Sequence, residues 1–360
     1  MEDMKPKKIL IPIEKCVPGM TLMQSVGDER TGTIIIGKGQ KLTEDIIEKI
    51  AHFNHTQIWI QMEEIENIKV EEVNNIKVEE GIWHVSKEQL ETYKNYAHLL
   101  QNIIEGFNGD KSQAVCEIMT LADQILCSFT ESYSALACTN LLNQLDADEY
   151  MRSINVASVA FVLGQWLEYD KEFLKDVIIT CLFHDVGKID LNSKFLKMKI
   201  QDMSGLEKLE YQRHPILGYE KLAPYNEVSV EVLKGVLTHH ERLDGKGYPL
   251  HLKENKIGNL ARIIALADTY ICLKQSMHIF DVVMRLELQK GNKLDSKMVG
   301  VFCENILNYY IGSKVLLNTG EVAEIVFIQS KARHRPIIKT EVGLINLLDK
   351  SNLRIERIMG

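Results

Sequence analysis

Hydrophobic and polar positions change rhythm twice along the chain. Between residues 8 and 61 short apolar runs alternate with turn residues. "ILIPI", "MTLMQSV" and "GTIIIG" read as strands, "TEDIIEKIAHF" as a helix capped by Thr43, and "TQIWI" as a closing strand. From about 86 to 310 apolar residues recur at helical spacing almost throughout. "SKEQLETYKNYAHLLQNII", a break at "GFNGD" and then "KSQAVCEIMTLADQIL" predict a helical hairpin ahead of the larger helical region. After about 311, "KVLLNTG", "VAEIVFIQ", "PIIKTE" and "GLINLLD" are short strands with turn residues between them. The pattern predicts a multidomain α+β chain. Residues 1–80 form a small α+β regulatory unit with an acidic linker, 81–310 an all-α main domain, and 311–360 a small β-rich segment. "NIKVEE" occurs at 67–72 and again at 75–80, too few copies for a repeat fold, and reads as a solvated linker or edge hairpin. "GKGQKLT" (37–43) resembles a phosphate loop but lacks its frame and terminal Lys-Ser/Thr, so a turn is expected.

Composition narrows the chemistry. With 360 residues, 45% hydrophobic and 26% charged, the chain has material for two or three ordinary cores. A net charge of −8 and a pI near 5.8 argue against a broad DNA or acidic-membrane footprint. An anionic substrate would need local positive charge, such as metal ions. "ILIPI" after "MKPKK" is too short for a signal peptide or a membrane span, and a cytoplasmic protein is expected. Cys16, Cys116, Cys127, Cys138, Cys181, Cys272 and Cys303 are scattered without a CxxC and read as reduced packing residues.

The candidate chemistry lies in the helical region. "VIITCLFHDVGKIDL" ends an apolar helix with His184-Asp185, with Gly187 as its stop and Lys188 placed to meet a phosphate. His214 precedes Pro215, the residue favoured at a first helical position. In "EVSVEVLKGVLTHHERLDGKGYP", His239 and His240 end another helix and face a loop loosened by Asp244, Gly245 and Gly247. Asp268 stands among Ile263, Ile264, Leu266 and Ala267, where an ionised carboxylate is costly without a cation or strong donors. Singly, each has a structural explanation, as a cap or a buried hydrogen bond. Jointly, three histidine-bearing helix ends and one buried aspartate are what a clustered O/N metal site requires. Imidazole and carboxylate without thiolate suit iron, manganese or another divalent first-row ion, and Asp185 is placed to bridge two of them. Such ions activate water for attack on phosphorus.

"HDVGK", "HPILG", "HHERLDGKGYP" and "ARIIALADTY", in this order, resemble the HD-GYP family of metal-dependent phosphohydrolases over roughly residues 110–310. The resemblance implies an HD-type helical bundle and hydrolysis of cyclic di-GMP to the linear dinucleotide or GMP. It implies one or two divalent ions held by His184, Asp185, His214, His239, His240 and Asp268. Lys188 would hold a phosphate oxygen and, with Asp185, serve catalysis. The loop of Asp244, Gly245, Gly247, Tyr248 and Pro249 would line the site or a partner surface. The sequence departs from the family pattern in three respects. Arg152 stands where the family has a ligand histidine, Ile271-Cys272 replaces its Asp-Ala, and Met277 and Phe280 fall where basic residues grip the nucleotide. A guanidinium cannot ligate a metal; here it would act as a cation paired with Asp185 or Asp268. Asp148 and Glu149 are candidates for a replacement carboxylate, although a solvated helix start accounts for them. Two functions therefore stand: a phosphodiesterase of weakened activity, or a degenerate signalling module binding metal, nucleotide or protein. A homodimer is left open.

Overall fold

The computed structural model describes residues 8–13, 16, 18–28, 33–52, 57–61, 86–107, 109–131, 136, 148–196, 198, 202–329 and 332–359. Both "NIKVEE" copies lie outside them, as does Cys138. Internal contacts separate Trp83–Cys303 from a second unit made of the remaining two segments.

The Trp83–Cys303 unit is helical because its sequence starts helices well and then keeps an apolar face. Ser86 and Gln89 form a capping box ahead of Lys87–Gly106. Asp148, Asp170 and Ser229 each accept a backbone N–H from the first turn of Glu149–Trp166, Lys171–Phe183 and Val230–Thr238. Glu149–Trp166 is buried continuously from Ser153 to Gly164. A helix apolar on every side belongs in the centre of a bundle. It packs against Lys87–Gly106, Lys171–Phe183 and Asn259–Lys274. Phe302 closes this layer, with its ring 5.9 Å from Trp166 and 4.9 Å from Tyr270. Two short elements complete the unit for function. The 3-10 turn Val186–Asp190 packs on His214–Leu222, which packs on Val230–Thr238.

Before residue 62, β1 (Lys8–Pro12) pairs antiparallel with β4 (Gln57–Gln61), and β2 (Val26–Asp28) with β3 (Thr33–Ile36). The helix Glu44–His52 starts at Thr43, whose Oγ1 accepts the Ile46 N–H. The stretch expected as one strand, 20–26, contributes only Val26 to β2. Its Thr21 bridges Lys41 and its Leu22 bridges Ile60, so the chain crosses between partners and no ladder forms. "GKGQKLT" turns at Gly39 with φ +84°.

After residue 313 a five-stranded antiparallel sheet runs in the order β8 (Gly343–Asn346), β7 (Ile337–Thr340), β6 (Val322–Phe327), β5 (Lys314–Leu317), β9 (Ile355–Met359). β9 was not predicted. Its register against β5 slips between Leu316 and Leu317, which puts Ile355 and Ile358 out of a period-two pattern. The cysteines correct another expectation. Cys16, Cys181 and Cys303 are buried, but Cys116, Cys127 and Cys272 are exposed. Lys111–Glu131 buries the stripe Ala114, Ile118, Leu121, Ile125 and Phe129, which leaves Cys116 and Cys127 off its face. Among the described residues, no helix is long and apolar enough to cross a membrane.

Candidate metal centre

The same local device aims three imidazoles. Lys171–Phe183 stops at Phe183, His184 takes the C-cap position, and its Nδ1 lies 2.6 Å from the Cys181 carbonyl. His239 occupies the equivalent position after Val230–Thr238, with Nδ1 2.7 Å from the Val236 carbonyl. His214 is the first residue of its helix, followed by Pro215, and its Nδ1 lies 2.8 Å from the Tyr211 carbonyl. A carbonyl can only accept, so in each ring Nδ1 carries the proton, and in the neutral rings of His214 and His239 Nε2 presents its lone pair. Backbone carbonyls orient metal-binding histidines in this way.

Those lone pairs meet. His214 Nε2 and His239 Nε2 face one another at 3.4 Å, and Asp185 Oδ1 lies 3.3 Å from His214 Nε2. One ligand atom each from Asp185, His214, His239 and His240 falls within 4.8 Å of the other three. His184 adjoins the group, with Nε2 3.2 Å from Asp185 Oδ2 and its ring edge-on to His239 at 5.2 Å. His184 Nε2 and Asp185 Oδ1 are buried without a hydrogen-bond partner among the described residues. Facing lone pairs and an unpartnered buried carboxylate oxygen are costly alone and are satisfied together by one cation. The donor set fits a divalent first-row ion.

Burial sets the charge states. It holds the His214 pKa down at about 4, and those of His239 and His240 well below the ordinary 6.5. Burial also disfavours charge on His184, but the neighbouring Asp185 outweighs it and raises that pKa. Asp185 is buried too, yet His184 and Lys188 hold its pKa well below the carboxylate range. Lys188 Nζ is 2.6 Å from Asp185 Oδ2 and 5.6 Å above the Tyr211 ring.

Two glycines make the convergence possible. A Cβ on Gly187 would sit 2.1 Å from the His214 carbonyl oxygen and 2.5 Å from the Gly218 nitrogen. Gly187 was read as a helix stop; its work is to let the HD turn touch the helix that carries His214. Gly187→Ala should therefore separate Asp185 from His214, lowering stability by about 1–3 kcal/mol. Calorimetry and metal analysis should show both a lower Tm and lost metal; an unshifted Tm with full metal contradicts this. Gly247 meets the Arg242 nitrogen at 2.4 Å and the His240 oxygen at 2.5 Å by the same measure. That contact lays Tyr248 on His240, rings stacked at 4.5 Å, ahead of Pro249. Gly245 turns with φ +73°, and Asp244 bridges Lys253.

Glu241 was missed. It is buried, and its two carboxylate oxygens accept the N–H groups of Leu250 and Leu252 at 2.7 and 2.9 Å, clasping the loop to the histidine pair. Its signal was an acid directly after two histidines, at the root of a long turn. Glu241→Gln leaves one N–H facing an amide donor, at a cost of about 1–3 kcal/mol. Limited proteolysis should then cut within 242–252 faster than in wild type, and equal rates would show the clasp to be idle. Tyr211, also missed, acts through its carbonyl, for which no side-chain signal exists.

The departing positions have definite places. Arg152 Nη2 lies 2.5 Å from Asp268 Oδ1, with 23% and 13% of the two side chains exposed. Burial opposes charge on Asp268, but Arg152 prevails and lowers its pKa. Asp268 is therefore engaged by Arg152 and is absent from the four-residue ligand set. Ile271 and Phe280 are core residues, while Met277 is half-buried. Asp148 caps its helix through Met151 N–H at 2.7 Å. Glu149 lines a cleft with Ser153 and Asp185, where burial raises its pKa.

The HD domain family matches residues 130–288. A cyclic di-GMP phosphodiesterase of Pseudomonas aeruginosa is 27% identical over 225 residues, covering 61% of this chain and 54% of that protein. The 3'3'-cGAMP-specific phosphodiesterase 1 of Vibrio cholerae is 33% identical over 184 residues, covering 49% of this chain and 42% of that protein. The chain spans about half the length of these curated relatives. A solved HDG"Y"P protein from Bdellovibrio bacteriovorus shares the fold at a TM-score of 0.50 and 15% identity, over 82% of this chain and 98% of that one. Fold, site and sequence match converge on one likeness: residues 130–288 match the HD domain family, and the curated relatives are named as phosphodiesterases of cyclic dinucleotides.

Proposed function

We propose that this chain is a metal-dependent phosphodiesterase acting slowly on cyclic di-GMP or a related cyclic dinucleotide in cytoplasmic second-messenger signalling. The observation that carries the reading is the set Asp185, His214, His239 and His240, whose ligand atoms converge, with Asp185 Oδ1 buried and without a hydrogen-bond partner among the described residues. His184 and Asp268 complete the group of ligand-type residues, and iron or manganese suits it. When bound, such an ion polarises a phosphoryl oxygen and acidifies water. The chain supplies the rest. Carbonyl-anchored imidazoles keep their geometry, Lys188 brings a positive charge to a phosphate oxygen, and Asp185 holds Lys188 ready to do so. Tyr248, stacked on His240, and the loop from Asp244 to Pro249 form an edge for the nucleotide or for a partner protein.

Slow turnover follows from the positions that depart from the family pattern. By the family resemblance, the basic residues that grip the nucleotide fall at Met277, which is uncharged, and Phe280, which is buried and apolar, while buried Ile271 replaces an aspartate. The same observation favours a second reading, a signalling module that binds metal and nucleotide without hydrolysis. Chromatography separates them: protein loaded anaerobically with iron(II) or manganese(II) is incubated with cyclic di-GMP and, separately, with bis(p-nitrophenyl) phosphate. Linear dinucleotide or GMP, and release of nitrophenol, both abolished by a chelator, support the enzyme. Tight binding of cyclic di-GMP with no product from either substrate supports the module.

A further inference from the structure

The six ligand-type residues would suffice for two ions, but the structure treats the two halves of the cluster differently. On one side Asp185 Oδ1, His214, His239 and His240 face one another, with no protein cation among the described groups paired to that oxygen. On the other side both carboxylate charges are already met. Lys188 Nζ holds Asp185 Oδ2 at 2.6 Å, and Arg152 Nη2 holds Asp268 Oδ1 at 2.5 Å. We infer that this chain takes one metal ion, and that the Arg152 guanidinium, seated on Asp268, occupies the place of a second cation.

Three physical points support it. A carboxylate bridging two ions through its two oxygens must free both of them, and Lys188 engages one. A guanidinium stays charged at any working pH, so unlike a histidine it cannot yield its place by losing a proton. A dication set beside it in a water-poor cluster would be repelled, whereas the other side presents Asp185 Oδ1 and the three imidazoles of His214, His239 and His240 within ligand reach of one another. The arrangement also accounts for Asp268, whose buried charge would be unmet without either an ion or Arg152.

The inference rests on the reading that the histidine cluster holds metal, and metal counting distinguishes failure of one from failure of the other. The full chain is saturated with manganese(II), desalted and analysed for ions per chain, with electron paramagnetic resonance to report whether ions are magnetically coupled. Wild type should hold one ion with the spectrum of an isolated centre. Arg152→His removes the fixed charge and adds an imidazole beside Asp268; it should hold two ions with a coupled spectrum. Circular dichroism checks its fold, and Arg152→Gln, which removes only the charge, provides a second variant with weaker gain of the extra ion. Two coupled ions in wild type, or a folded Arg152→His that still holds one, would overturn the inference. No ion in any form would instead remove the metal reading beneath it.

Discussion

Asp185→Asn should strip the protein of its metal while leaving the helices formed. The Asp185 Oδ1 atom is buried, lacks a hydrogen-bond partner among the described residues and lies 3.3 Å from His214 Nε2. Without its charge, a cation would face three neutral imidazoles next to the Lys188 ammonium. Affinity should fall by more than about 100-fold, beyond the loss typical of a residue that merely orients a ligand. The substitution has a second effect, because Lys188 is 8% exposed and would lose its counter-charge. Breaking a buried pair from one side costs about 3–5 kcal/mol. Asp185→Asn combined with Lys188→Met should recover most of that stability and none of the metal. Thermal denaturation and metal analysis of both variants decide the matter. Retained metal in the single variant, or regained metal in the double one, would rule out Asp185 as the anionic ligand.

The metal-free protein should lose stability steeply as pH falls below about 6.5. Burial lowers the His214 pKa from 6.5 to about 4, so the folded chain declines a proton that the unfolded chain accepts. A group depressed in the folded state destabilises it progressively as pH falls from the unfolded pKa toward the folded one. For His214 that is about 3 kcal/mol across the window from 6.5 to 4. His239 and His240 act in the same direction. His184 acts oppositely: its raised pKa gives stability that is complete below the unfolded value and lost as pH rises through the folded one. Three groups outweigh one. Bound metal should steepen the dependence, because it binds only deprotonated imidazole. Urea unfolding at pH 7.5 and 5, with and without chelator, measures this. Equal stability at both pH values without metal would mean that these imidazoles are not held neutral by the fold.

Much of the site was legible because its residues sit at helix ends, where sequence speaks most clearly. The apolar run before His184, Pro215 after His214 and the stripe of Val232 and Val236 before His239 each fixed a direction locally. What sequence withheld was anything that depends on approach between distant segments. Gly187 looks like a helix stop until His214 is known to lie against it. Glu241 looks like one acid among many until its oxygens are seen on Leu250 and Leu252. Arg152 could be matched to Asp185 or Asp268 on charge alone, and only the packing of Glu149–Trp166 on Asn259–Lys274 selects Asp268. The same limit explains the sheet. β9 hides behind a register slip, and the stretch at 20–26 reads as a strand although its partners lie in two different places.

The most direct test of the account is metal content per chain measured alongside cyclic di-GMP hydrolysis, on the same preparation, with iron or manganese added. The account predicts bound metal and slow, chelator-sensitive formation of linear dinucleotide or GMP. Hydrolysis undiminished in protein shown to contain no metal would contradict it.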